Sequence, residues 1–543
     1  MNRARMFCAA RTCRMSDRVF GGDVRRRSAG MGRARRGLAA GAAFGALAGC
    51  TVGPKFAPPT PPPATTWHDP SVRTEARVTP RSNPDPQWWQ NFADPELDRL
   101  MQRAIAGNLD LQQAVLRVME SRQQVAVARA AGLPSLNGQA EYTREQLGLK
   151  GILDSQGAYS GLNSLADKNS KLNQYQSGLG NTTATDGTQL LNKLSGPINL
   201  FQYGLDASWE LDLFGRVRRS VEQARAQSAA QVEATNDALV MLESDVARAY
   251  MQLRGAQALT ASQQANITEA QDSLQLTQIR QLHGLATGLD VEQARTQLSD
   301  TQRSLPGYES QAQQAINQLN VLVGQPPGTL DAELVPPAAL PAVPQVVGVG
   351  LPSTLARRRP DIREAEAQLH AATANVGVAV AGFYPDVSLT GSLGLRAIDA
   401  SYLTNWASHF YTLGPSVSLP IFQGGRLRAN LKLARAQEEA AALQYRGTVL
   451  NALREVEDAL VAYRTDRAAL AKLQETVNSA QITLSLARSR YADGVDTFIQ
   501  VLDAQRTLTS ARQQSVQTEL TLTDDVVALY RALGGGWEEE KQK

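Results

Sequence analysis

Residues 445–494 read YRGTVLNALREVEDALVAYRTDRAALAKLQETVNSAQITLSLARSRYADG, and apolar side chains recur in them at every seventh position: Val449, Val456, Tyr463, Leu470, Val477, Leu484 and Tyr491. Leu453 and Leu460 mark a second seam. A seven-residue interval gives the narrow stripe of a coiled coil rather than the broad face of an ordinary globular helix. The surrounding stretch, Gly425 to Leu533, holds no proline, and its only later glycines before Gly534 are Gly447 and Gly494. The pattern predicts two helices, about 425–491 and 497–533, joined by a turn at Ala492-Asp493-Gly494-Val495-Asp496-Thr497. At ~1.5 Å per residue the first is on the order of 100 Å long, which suits a rod or the wall of a tube rather than a compact domain.

The same stripe occurs earlier in the chain, at Val232, Leu239, Val246, Leu253, Thr260, Ile267 and Leu274. A shift of 210 positions carries Leu239 to Val449, Leu253 to Tyr463, Gly284 to Gly494 and Ala294 to Ala504. That shift is a whole number of heptads, so one register runs through helix, turn and returning helix in both places. The chain is therefore two copies of one unit. The expected division is a leader over 1–49, an extended segment over 50–93, a first repeat over 94–322, a linker over 323–352, a second repeat over 353–533 and a tail over 534–543.

Within the leader, residues 1–30 are arginine-rich and lack an apolar run, and Met31 reads as the true start. Arg33, Arg35 and Arg36 then precede a short apolar run, Gly37 to Gly49, which ends Leu47-Ala48-Gly49-Cys50. Charge, length and ending resemble a bacterial lipoprotein signal, in which the cysteine becomes the lipidated first residue; about 13 apolar residues are too few to span a bilayer. Thr51 is not the aspartate that usually retains a lipoprotein in the inner membrane, which points to the outer one. Whole, the chain is formally +3, but beyond residue 49 it carries 44 Lys and Arg against 50 Asp and Glu. The basicity belongs to the leader and argues for no nucleic-acid partner. Cys8 and Cys13 leave with it, and lipidation consumes Cys50, so no disulfide is expected.

Residues 51–90 are rich in proline and read as extended chain. Asp94-Pro95 opens a helix to about Ala106, and a second follows from Leu109 to Ala131. After Pro134 the period changes to two. Leu136, Gly138, Ala140 and Tyr142 alternate with Ser135, Asn137, Gln139 and Glu141, and Tyr203, Leu205, Ala207 and Trp209 alternate with Gly204, Asp206, Ser208 and Glu210. The second copy repeats this at Val387, Leu389, Leu393 and Leu395 and at Tyr411, Leu413, Pro415 and Val417. Strands are expected at about 135–146, 201–213, 385–396 and 410–421, with the length and two-faced pattern of transmembrane β-strands. The alternative is one face of a soluble sandwich. Four strands cannot close a barrel, and lipid tolerates no open edge, so several chains must share one; three chains give twelve strands. The loops at 148–199 and about 397–409 then face the exterior, and the helices hang into the periplasm. Pro306-Gly307 should break the first copy's return helix.

Chemistry-bearing motifs are scarce. His68, His283, His370 and His409 have no metal-ligand partner at useful spacing, and only four methionines follow residue 50. No phosphate loop or nucleophile elbow is present, so no enzyme is expected.

A set of short motifs is more informative: Trp88-Trp89, Asp94-Pro95, Asn108-Leu109-Asp110-Leu111, Arg359-Pro360-Asp361-Ile362-Arg363, Ala374-Asn375-Val376-Gly377, Val501-Leu502-Asp503-Ala504-Gln505 and Leu533-Gly534-Gly535-Gly536-Trp537. In their order, and with the duplication and the lipobox, they resemble the TolC-like outer-membrane efflux channels. The similarity is greatest to the lipoprotein (NodT, OprM-like) branch that serves resonance-nodulation-division pumps. The resemblance covers about Cys50 to Trp537. It implies mixed α and β architecture: a homotrimer whose 12-stranded membrane β-barrel continues as a long periplasmic α-helical barrel. It also implies an exit duct for small molecules, fed by a periplasmic adaptor protein and an inner-membrane efflux transporter, in the outer membrane. No cofactor is implied beyond the covalent lipid on Cys50. Alternatives are the exit duct of a type I protein secretion system and a structural envelope-spanning coiled-coil lipoprotein.

The resemblance also assigns sites. The hairpin tips, about 284–289 and 492–497, would dock the adaptor. Where relatives have Val-Gly-Leu or Val-Gly-Thr, this chain has His283-Gly284-Leu285 and Asp493-Gly494-Val495. Of the periplasmic gate, Asp290 and Tyr491 would form a closing hydrogen bond, Asp496 would be a further carboxylate, and Asp503 would form a constriction ring of three. A second ring is not expected, because its place is Gln500.

Overall fold

The structure, a computed structural model, describes residues 51–60, 66–69, 78–79, 85–146, 151, 155–157, 197–344 and 346–537. The leader, Cys50, the tail after Trp537 and most of the 148–199 loop lie outside them. In chain order the α-helices of seven residues or more are α1 (Pro95–Gly107), α2 (Leu109–Ala130), α3 (Arg216–Leu282), α4 (Gly288–Arg303), α5 (Leu305–Leu322), α6 (Pro352–Arg358), α7 (Pro360–Ala381), α8 (Arg426–Ala492) and α9 (Phe498–Ala532). The four long strands are β1 (Ser135–Glu145), β2 (Ile198–Leu211), β3 (Asp386–Ala397) and β4 (His409–Ser418).

The duplication is visible in these boundaries. α3 and α8 each have 67 residues, and both their first and their last residues stand 210 positions apart. α2 and α7 each have 22 residues but start 251 positions apart. The extra offset arises between β1 and β2, where the first copy carries its long loop. The heptad residues lie where the stripe places them: Val246, Leu253 and Ile267 in α3 and Val449, Val456, Tyr463, Leu484 and Tyr491 in α8 are all buried. The returning helices differ. α9 is a single helix, whereas Pro306 sits in the first turn of α5 and the first copy's return is divided at Ser304. Proline offers no amide and clashes with the preceding turn, which accounts for the break.

The four long strands form one antiparallel sheet in the order β1-β2-β3-β4. Its register aligns the apolar positions across all four strands. Gly138 lies opposite Leu205, Leu205 opposite Leu393, and Leu393 opposite Tyr411. Asn137, Asp206, Ser392 and Thr412 make the matching row on the other face. One face is thus apolar and the other polar, and both are open in the isolated protomer: Leu136, Leu205, Leu393 and Leu413 are all exposed. β1 and β4 each keep one unpaired side among the described residues. A bilayer admits neither bare edges nor a half-closed sheet, so the strands of neighbouring chains must complete the barrel. Among the described residues no helix is long and apolar enough to cross a membrane.

Below the sheet, a large apolar core gathers the short helices around the middles of α3, α8 and α9. Trp88 stacks on Tyr530 at 5.1 Å, and Leu97, Leu100 and Met101 of α1 are fully buried. The motif residues fix the joints of this core. The Asp94 carboxylate caps α1 by accepting from the Glu96 and Leu97 amides, and it also accepts the Tyr250 hydroxyl of α3 at 2.7 Å. Asn108 caps α2 and donates to the Leu322 carbonyl at 3.0 Å. Arg359, just before Pro360 at the start of α7, reaches Asp361 and Glu455 at 2.7 Å each and the Ala532 carbonyl at 2.9 Å. One side chain so ties α7 to α8 and to the end of α9. The Trp537 indole donates to the Arg358 carbonyl and closes the described chain against α6.

The amino-terminal segment is held on the outside of this body. The Val52 amide donates to the Phe214 carbonyl at 3.2 Å, and the buried Arg219 guanidinium donates to the carbonyls of Val52 and Gly53. Phe56 stacks on His370 at 4.3 Å. Further along, the Glu457 carboxylate accepts the His68 and Asp69 amides, and Trp67 donates to the Gly350 carbonyl. Residues 51–53 therefore sit at the foot of β2, where strand passes into helix.

Candidate functional site

The two hairpins of α3–α4 and α8–α9 end in turns built alike. The Leu285 amide donates to the Arg280 carbonyl at 2.8 Å and the Gly284 amide to that of Gln281 at 2.9 Å; Val495 and Gly494 repeat this on Arg490 and Tyr491 at 2.9 and 3.0 Å. This double closure satisfies the last helical carbonyls and needs positive φ at its centre. Gly284 has φ 73° and Gly494 φ 77°, a region that side chains with a Cβ adopt at a cost. Around the turns the surface is apolar. Leu282 is 85% exposed, and Leu285, Leu289 and Val495 are each about two-thirds exposed, at 64%, 67% and 64%. His283 and Asp493 are exposed beside them.

Asp290 and Tyr491 are not brought together. The Asp290 carboxylate accepts the Thr287 amide and hydroxyl, both at 2.8 Å, in a capping box that starts α4. The first turn of a helix leaves amides without partners, and here a neighbouring carboxylate satisfies one of them locally. Tyr491 is buried, and its hydroxyl has no partner among the described residues. Its ring lies against Phe498 at 5.4 Å and under the Arg280 guanidinium at 4.7 Å. The expected Asp290–Tyr491 hydrogen bond is thus corrected: within the protomer, Tyr491 is engaged by Arg280.

Asp496 accepts from Arg490 Nε at 2.5 Å inside its own turn. Asp503 is exposed on α9 and lies with Arg490, Asp496, Gln500 and Thr507 along a groove of about 570 Å³ between α8 and α9. Gln500, Asp503 and Thr507 share one face of α9, and Asp496 in the preceding turn lines the same groove. Of the four gate residues expected, the structure therefore groups Asp496 with Asp503 and leaves Asp290 and Tyr491 elsewhere.

Sequence reasoning missed a set of arginines that join the two hairpins. Arg280 of α3 donates to the Ala492 carbonyl at 2.5 Å. Arg488 of α8 donates to the Glu269 carbonyl and the Ser273 hydroxyl, at 2.6 and 3.1 Å. Arg506 of α9 donates to Gln297 at 2.9 Å, and Arg512 to Asn266 at 2.8 Å. Each crosses from one repeat to the other. Position alone does not announce such ties, since a long cation beside a heptad stripe normally faces water. Among the described residues, no group of His, Cys, Asp and Glu could hold a metal ion.

With this geometry, comparison with known proteins is specific. The family described as outer membrane efflux protein matches residues 100–325 and 351–535. The chain is 34% identical over 498 residues to the solvent efflux pump outer membrane protein SrpC of Pseudomonas putida, which covers 90% of this chain and 96% of that protein. It is 33% identical over 500 residues to the outer membrane protein OprJ of Pseudomonas aeruginosa, covering 91% and 94%. Among solved structures, the outer-membrane channel OprN superposes with a TM-score of 0.76 at 32% identity, covering 90% of this chain and all of that one.

Proposed function

From the premise that the chain belongs to the outer membrane efflux protein family, we propose how it works as the outer-membrane exit duct of a tripartite efflux pump. The observation that carries this function is the pairing of a two-faced, open-edged sheet with two helices of 67 residues. The sheet supplies an apolar belt outside and a polar wall inside, and the helices extend that wall ~100 Å. A purely structural rod needs no polar row such as Asn137, Asp206, Ser392 and Thr412. The polypeptide provides a passive path, and the energy comes from the inner-membrane transporter.

In this account the partners are an adaptor and a transporter of the resonance-nodulation-division class, and the cargo is small molecules, as the names of relatives such as SrpC suggest for those proteins. The apolar rims at His283-Gly284-Leu285 and Asp493-Gly494-Val495 receive the adaptor. Asp503, three times around the axis, forms the constriction, with Asp496 behind it; Tyr491 belongs to the gate through its packing, and Asp290 through the start of α4. Cys50 carries the lipid. Its support is the lipobox Leu47-Ala48-Gly49-Cys50, together with the chain that follows it, whose Val52 and Gly53 are held at the foot of β2.

The experiment is to purify the full chain from the outer-membrane fraction in detergent and determine its mass by native mass spectrometry. Three chains, with acyl mass on the peptide beginning at Cys50, is the expected result. A monomer in the soluble fraction would overturn the reading.

A further inference from the structure

Arg280 and Arg490 are the same residue in the two copies of the tip, 210 positions apart, yet they do different things. Arg490 is held within its own turn by Asp496. The residue equivalent to Asp496 in the first copy is Ala286, which offers no carboxylate. Arg280 instead reaches across to the second hairpin. There it donates to the carbonyl of Ala492, in the last residue of α8, and lies over the Tyr491 ring at 4.7 Å. Both acceptors favour a cation: the carbonyl end of a helix carries partial negative charge, and so does the face of a phenol ring. Another of its nitrogens stands 3.5 Å from the Leu285 carbonyl of its own turn, so one guanidinium touches both tips.

The geometry points to Arg280 as the tie that fixes the second tip, and with it the groove of Asp496 and Asp503, against the first. The tie follows from the divergence of position 286 from position 496: an arginine with a local carboxylate stays home, and one without is free to cross. This positioning role rests on the gate reading only for its effect on flow, not for the tie itself.

Two substitutions test it in the intact trimer. Arg280→Ala removes the tie. Ala286→Asp keeps the arginine but supplies the first tip with the carboxylate that the second already has, so Arg280 should be drawn back into its own turn. The readouts are hydrogen exchange of the 488–499 peptide, which contains neither substitution, and single-channel conductance in a planar bilayer. Both variants should speed exchange there about two- to five-fold, the weight of one exposed cation–π contact, and raise the resting conductance. Unchanged exchange in both variants, in trimers that melt like the parent, overturns the tie. Faster exchange with unchanged conductance keeps the tie and removes the Asp496–Asp503 groove from the gate.

Discussion

The Trp209 indole donates to the Gly132 carbonyl at 3.0 Å, pinning β2 to the turn that leaves α2. Trp209 shares a sheet face with Leu205 but stands at the helix end of the strand, beyond the first paired residue of β1, Ser135, which lies opposite Ser208. An amphipathic ring with its polar edge bonded to backbone is suited to a membrane–water boundary.

A series of substitutions on β2 and β3 follows. Leu205→Arg, in mid-sheet, should cost the folded barrel about 2–4 kcal/mol, while Ser392→Arg on the opposite face should be mild. Trp209→Phe keeps the ring and loses the indole bond, for about 1 kcal/mol. The fraction of SDS-resistant trimer after refolding ranks the three. Equal losses at Leu205 and Ser392 would contradict the two-faced sheet.

Cys50→Ser should abolish lipid labelling yet leave folded protein in the outer-membrane fraction, because the closed barrel anchors itself and acylation only adds to it. Metabolic labelling with a fatty acid, followed by membrane fractionation, reads both. Release of folded trimer into the soluble fraction would contradict the barrel.

Glu243 of α3 is 1% exposed and packs against Gly536, where burial pushes its carboxyl up to about 9. The Trp88 indole offsets part of this without meeting hydrogen-bond geometry. The folded form thus holds a proton that the unfolded chain releases near its ordinary value of 4.5. The native state binds more protons between those limits, so stability falls as pH rises from about 4.5 through about 9. Glu243→Gln should therefore raise the melting temperature at pH 9 and change it little at pH 4. Parallel pH profiles for the two proteins would show that Glu243 does not titrate in this way.

Three Asp503 carboxylates around a narrow bore would concentrate cations and slow anions, since low-dielectric walls focus the field. Asp503→Ala should move the reversal potential under a salt gradient toward zero and relieve block by multivalent cations, without loss of trimer. An unchanged reversal potential would place the constriction elsewhere.

Much of the architecture was legible because it rests on periodicity. The heptad set from Val449 to Tyr491 and its counterpart from Val246 to Leu274 are buried or half-buried where the stripe puts them, and α8 and α9 begin and end within a residue or so of the expected limits. Alternation gave the four strands, and the register joins their apolar rows into one face. Local rules also carried the Pro306 break and the glycine turns at Gly284 and Gly494. The tip contacts were not legible. A carboxylate such as Asp290 can serve a neighbouring protomer or cap its own helix, and the choice depends on where Thr287 puts its hydroxyl and amide. Arg280 looks like any solvated arginine until the two repeats are set side by side and position 286 is found to lack the acid of position 496. The joints made by Arg359 and Arg219 likewise bring together residues distant in sequence, which no period encodes.

The central claim is that three copies of this chain enclose one continuous water-filled duct. Single-channel recording of the purified trimer in a planar bilayer tests it most directly. Discrete, long-lived conductance steps should appear and vanish when the trimer is dissociated, with a reversal potential on the cation-selective side under a salt gradient. A correctly folded trimer that inserts yet leaves the bilayer silent, in the parent and in Arg280→Ala alike, would contradict it.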